Sequence, residues 1–116
     1  MLPVLIASAV GVKLPEVGPV GLPIGQPVVQ LKCLVAAEEK DKGIEAGVWE
    51  ASPGSWRRTI VKAELSHFIA GRCTFTPDGG APMEITAGDA VYFPANSFGV
   101  WNVYETVRKT YVMFGK

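Results

Sequence analysis

The feature that most constrains this chain is its punctuation. From residue 28 onward, short apolar and aromatic runs alternate with clusters of Gly, Pro and Asp. The runs are Ile44–Ala51, Trp56–Val61, Leu65–Ala70, Cys73–Thr76, Met83–Thr86, Ala90–Phe93, Val100–Val103 and Val107–Phe114. Ser52-Pro53-Gly54, Pro77-Asp78-Gly79-Gly80 and Ala87-Gly88-Asp89 separate several of them. No long helical period of apolar positions competes with this pattern. Short strands joined by such turns predict an all-β sandwich or barrel. The clearest hairpin is Thr76–Gly80, where Pro77 fixes one φ and Asp78-Gly79 supplies positions that tolerate positive φ.

Upstream the texture differs. Pro3, Pro15, Pro19, Pro23 and Pro27 each remove a backbone donor and fix φ, so residues 1–27 predict an extended, turning arm without a regular helix. The arm is expected to pack on the barrel or on a second subunit. Val28–Ala37 reads as a strand, although its end could equally begin a short helix, and Glu38–Gly43 reads as a solvated, charged turn. Residues 28–116 then form a single barrel.

A chain of 116 residues fits one domain and one core. Acidic and basic residues balance at eleven each, which leaves no basic excess for nucleic acid. The apolar N-terminus lacks a preceding basic residue, is interrupted by Pro3, and is too short to span a bilayer. A cytoplasmic protein with no membrane partner is expected. Cys33 and Cys73 lack a CxxC spacing and are expected to be reduced thiols, although a bridge is open if their strands pair.

An ordered set of residues then narrows the fold. Gly47-Val48-Trp49-Glu50, Pro53-Gly54, Trp56-Arg57-Arg58, Glu64, Ile69–Arg72, Thr76–Gly80, Gly88-Asp89, Phe93-Pro94, Trp101, and Val107–Lys109 with Tyr111 occur in sequence. Together they resemble the small cupins of the branch that includes the ureidoglycine aminohydrolase cupin domain. The resemblance covers about residues 43–114 and implies a cupin (RmlC-like) double-stranded β-helix, a jelly-roll barrel with a pocket in its mouth. It also implies a homodimer formed through N-terminal strands, a role that suits the arm here.

The resemblance permits a test of metal binding. Metal-holding cupins carry His-x-His, three or four residues, then Glu, with a further histidine in the second motif. Glu64 stands at the glutamate place. Counting back with four residues between puts Arg57 and Thr59 at the two histidine places, and Gly99 stands near the last. The chain has one histidine, His67, outside all of these positions. Arginine stays protonated and offers no lone pair, and glycine offers no side chain. No metal cofactor is expected.

Strand parity orders the remaining candidates. Glu64, Ser66 and Phe68 should share one face, with His67 on the other. Arg57 and Thr59 share parity; one reading pairs an inward Arg57 with Glu64 in place of the metal, and the alternative is an outward Arg57 with Glu64 meeting Lys62, Lys109 or solvent. Trp101 shares the parity of Gly99, and Lys109 shares that of Tyr111. Arg108 should face outward, toward an acid. Ligand-pocket candidates are therefore Arg57, Thr59, Glu64, Trp101, Lys109, Tyr111 and Trp49, and no catalytic residue is assigned. Three functions stay open: a metal-free cupin binding a small polar molecule, a metal-dependent aminohydrolase acting on ureidoglycine or a similar small ureido or amino compound, and a structural or interaction protein with a filled barrel.

Overall fold

Two long strands organise the fold, and each serves two sheets. The computed structural model describes residues 1–115. Its strands are β1 (Glu16–Pro19), β2 (Pro23–Ile24), β3 (Gln30–Glu39), β4 (Ile44–Ala51), β5 (Gly54–Arg58), β6 (Ala63–Pro77), β7 (Met83–Thr86), β8 (Ala90–Phe93) and β9 (Gly99–Phe114). The first part of β6 and the last part of β9 pair with each other and carry β8 on one side and β4, β3 and β1 on the other. The last part of β6 and the first part of β9 pair likewise, flanked by β7 and by β5 with β2. This is an all-β cupin jelly roll, built from antiparallel strands throughout.

The sequence splits each long strand in two because each has an irregular middle. In β6 the register shifts repeatedly between Phe68 and Cys73, as β-bulges do where a strand bends. Gly71 sits in this bend with φ +84°, and a Cβ there would lie 2.0 Å from the Thr106 carbonyl oxygen. Only glycine fits a left-handed backbone pressed so close to its neighbour. In β9 the interruption is Tyr104-Glu105-Thr106, exposed between two inward-alternating halves.

Other boundaries move by a few residues. The strand expected over Val28–Ala37 runs over Gln30–Glu39 and pairs with β4 along its length, so its end begins no α-helix. The charged turn contains a single 3-10 turn, Lys40–Lys42, closed by Gly43 in the left-handed region. The run expected over Trp56–Val61 stops as a strand at Arg58. This early stop matters for the site below.

The N-terminal segment lies on its own barrel. β1 pairs with β3 and β2 with β5, and Leu14 and Val20 are buried. Arg108 reaches outward from β9, donates to the carbonyls of Ala9 and Val12 at 3.1 and 2.8 Å, and pairs with Glu50 at 2.9 Å. One outward arginine thus fixes both the start of the chain and an acid on β4.

The core between the sheets is strongly aromatic. Trp56, Phe68, Phe75, Phe93 and Trp101 are all buried in one cluster with Val29, Val103 and Val107. Phe75 meets Phe93 edge-on at 5.3 Å. Burying each large apolar side chain contributes about 1.5–3 kcal/mol. Cys33 and Cys73 are both free, on strands that do not pair with each other. Among the described residues, no helix is long and apolar enough to cross a membrane.

Candidate ligand pocket

The inward positions of β4, β5, β6 and β9 converge on one cavity of about 310 Å³. Alternation along β6 points Glu64, Ser66 and Phe68 inward and leaves His67 exposed. Alternation along β9 points Trp101, Lys109 and Tyr111 inward. Trp49 joins them from β4, directly opposite Lys109 in the strand register. Glu64, Trp101, Lys109, Tyr111 and Trp49 all line this cavity, as does Thr59.

Arg57 requires a correction. Its guanidinium turns away from Glu64 and forms a two-pronged pair with exposed Asp78, at 3.0 and 2.5 Å. Arg57 contributes to the cavity lining, but the pairing expected between it and Glu64 is absent. The inward arginine is Arg58, which is 3% exposed and donates to Glu64 Oε1 at 3.3 Å. The reason is local. Arg57 follows from the family's motif spacing with four residues before Glu64, which fixes no strand register here because residues 59–62 form no strand. Arg58, six positions before Glu64, shares its parity. Counting within β5 from buried Trp56 places Arg58 on the inner face.

Glu64 is held from three sides. Lys109 Nζ donates to Oε2 at 2.6 Å, the Ser66 hydroxyl donates to the same oxygen, and Arg58 takes Oε1. Burial alone would raise its pKa, but the Lys109 charge, the hydrogen bonds from Lys109 and Ser66, and the Arg58 charge hold it below the usual carboxylate range. Burial pushes the Lys109 ammonium below its ordinary value, and Glu64 opposes that push. The same balance acts on Arg58, with burial dominant. Arg58 is also anchored by the Ser97 carbonyl at 2.5 Å and lies over the Phe93 ring at 4.2 Å.

Aromatic faces surround the lysine. Lys109 Nζ lies 4.4 Å from the Trp49 ring centre and 5.5 Å from that of Trp101. These distances are within cation–π range. Trp49, Trp56 and Trp101 form a contiguous wall with centroid separations of 5.8 to 6.4 Å.

A second polar chain sits beside this group. Tyr111 donates its hydroxyl to Glu45 Oε2 at 2.7 Å and lies 3.3 Å from Cys33 Sγ. Burial, with Cys33 and Glu45 adding to it, raises the Tyr111 pKa. A Cβ at position 47 would come within 3.2 Å of the Tyr111 oxygen and 2.0 Å of the Leu34 carbonyl oxygen, so Gly47 keeps this corner open.

The donor set does not fit the metal of cupin enzymes. One carboxylate is present where three imidazoles and a carboxylate would be, and its oxygens are engaged by a lysine, an arginine and a serine. Among the described residues, no group of three His, Cys, Asp or Glu side chains is placed to hold a metal ion. Two cations beside the carboxylate would also repel a divalent ion.

Sequence reasoning missed Arg58, Cys33 and Glu45 as cavity residues. Alternation within β5 signals the first. The pairing of Cys33 with Trp49 and of Glu45 with Met113 depends on register between distant strands, which no local pattern in the chain encodes.

Similarity to known proteins agrees with this architecture. A protein of unknown function from Pseudomonas syringae pv. tomato, of the DUF861 family, superposes with a TM-score of 0.78 at 24% identity. The match covers 88% of this chain and 44% of that one, so the chain spans less than half of that relative's length. The Clostridium difficile EutQ protein gives a TM-score of 0.70 at 23% identity over 89% of this chain and 80% of that one. A DUF861 family protein from Thermotoga maritima is 30% identical over 58% of this chain and 76% of its own, with a TM-score of 0.56. No curated protein matches the chain. The family described as the EutQ-like cupin domain matches residues 38–111, which include every strand that builds the pocket except part of β3 and the end of β9. The chain belongs to the EutQ-like cupin domain family.

Proposed function

We propose that the barrel binds a small polar molecule without a tightly held metal. The observation that carries this reading is the engagement of Glu64 by Lys109 and Arg58 at the wall of an open, aromatic cavity. At about 310 Å³ the cavity falls at the small end of ordinary ligand pockets, about 300–1,000 Å³. That volume favours binding over a barrel filled by its own side chains. The aminohydrolase reading, with ureidoglycine or a related ureido or amino compound as substrate, needs metal chemistry for which the pocket lining offers no histidine and only two carboxylates, Glu64 held by two cations and Glu45 by the Tyr111 hydroxyl. A homodimer through the N-terminal arm belongs to the same proposal. Exposed Met1, Leu2, Leu5 and Val10 support it, and sedimentation analysis tests it: a monomer at high concentration would count against it.

A fragment screen on chelator-treated protein tests the binding reading, using the fluorescence of Trp49, Trp56 and Trp101 as the readout. Saturable changes caused by small polar compounds, lost in a Trp49→Ala variant, are expected. Binding that appears only after a divalent metal is added, or no binding at all, would contradict the reading.

A further inference from the structure

We propose that the pocket selects a small monoanion, a carboxylate carried on a planar apolar body, and receives its oxygens at Lys109. This inference rests on the small-molecule reading above and adds the chemical class of the ligand.

The first argument is charge. Arg58 and Lys109 bring two positive charges to the inner wall, and Glu64 brings one negative charge. The sum is one net positive charge among side chains that are almost entirely buried. An uncompensated buried charge is costly, and an anionic ligand would offset it.

The second argument is hydrogen-bonding capacity. Glu64 is already engaged at both oxygens, by Arg58 at one and by Lys109 and Ser66 at the other. An ammonium has three donors. Among the described residues, Lys109 has a single hydrogen-bond acceptor, Glu64 Oε2, which leaves two N–H groups with aromatic rings nearby but no oxygen or nitrogen acceptor, on a side chain that lines the cavity and is 6% exposed. A carboxylate supplies charge-assisted acceptors for both.

The third argument is shape. Trp49 and Trp101 flank the ammonium, and Trp56 extends the wall. A planar apolar body packs against such faces. The opposing charge in the cavity is Glu45. Its carboxylate accepts the Tyr111 hydroxyl at 2.7 Å and is only partly buried, so solvent and that hydrogen bond moderate its repulsion. The paired Arg57 and Asp78 add no net charge.

Benzoate, benzamide and benzylamine share one body and differ in charge, so they form a direct probe series. Their binding to metal-free protein is measured by tryptophan fluorescence and calorimetry. Benzoate is expected to bind at least about tenfold more tightly than benzamide, with benzylamine weakest, in line with the strength of charge-assisted contacts. Lys109→Met should weaken benzoate at least about tenfold and Lys109→Arg should restore part of the loss, with circular dichroism reporting the fold of each variant. Equal or tighter binding of benzamide or benzylamine overturns the inference, as does unchanged benzoate binding in folded Lys109→Met. If Lys109→Met does not fold, the order of the three probes on the native chain still decides. Hits from the fragment screen that are only neutral or cationic overturn this inference alone; a blank screen together with three silent probes overturns the binding reading as well.

Discussion

Lys109 Nζ lies 2.6 Å from Glu64 Oε2, and each side chain is 6% exposed. The two residues are 45 positions apart in sequence and meet because the first part of β6 pairs with the last part of β9. Their contact sets the electrostatics of the barrel interior. A lysine tethered to the wall takes up the carboxylate that would otherwise be available to a metal.

Lys109→Met should leave Glu64 with Arg58 as its sole charged partner. Removing one member of a buried pair costs about 3–5 kcal/mol. Urea denaturation at neutral pH measures this directly. A loss below about 1 kcal/mol, the range of exposed pairs, would mean that the contact contributes little to the fold.

The lowered pKa of Glu64 gives a signed pH dependence. A carboxylate depressed in the folded state contributes stability that is fully present above its unfolded value, about 4.3. That contribution is lost as pH falls through the lower folded value. Glu64→Gln should therefore be less stable than the native chain at neutral pH. The gap should close in acid, where Glu64 is protonated and resembles glutamine. A difference that stays constant down to about pH 2 would contradict the assignment.

The two adjacent arginines should behave oppositely. Arg57 and Asp78 form an exposed pair, and such pairs contribute little. Arg57→Ala should leave the melting temperature nearly unchanged. Arg58→Met removes a buried guanidinium from Glu64 and from the Ser97 carbonyl, and should lower the melting temperature clearly. The reverse order in a thermal melt would restore Arg57 as the inner partner.

This pair also shows how far sequence reading reaches. β4, β7 and β8 match the runs read from the sequence, because hydrophobic runs between turns are local signals. Parity placed Glu64, Trp101, Lys109 and Tyr111 on inner faces, because each was counted within a regular strand. The inward Arg57 rests on the family's motif spacing, which does not hold across residues 59–62, where no strand keeps a register; simple parity from Glu64 gives Arg58. β6 and β9 were each read as two strands because Gly71 and the exposed Tyr104–Thr106 stretch resemble turns. Glu45 and Cys33 enter the pocket through cross-strand register, which is a property of the assembled sheet.

The thiols provide an independent check on the packing. Burial pushes Cys73 up to about 12 and also raises Cys33. A raised pKa leaves little thiolate, so neither residue should react readily with a disulfide reagent in the native protein at mildly alkaline pH. In denaturant both should react without prior reduction, since both are free. Failure to detect thiols in the unfolded, unreduced chain would indicate a bridge and contradict the strand arrangement.

The most direct test of the central claim is the metal content of tag-free protein. The chain would be challenged with manganese, zinc, nickel and iron, dialysed, and measured by elemental mass spectrometry. The Glu64–Lys109–Arg58 cluster predicts retention far below one metal per chain for every ion. Near-stoichiometric metal that survives dialysis, and is lost in Glu64→Gln, would contradict the account and return the pocket to metal chemistry.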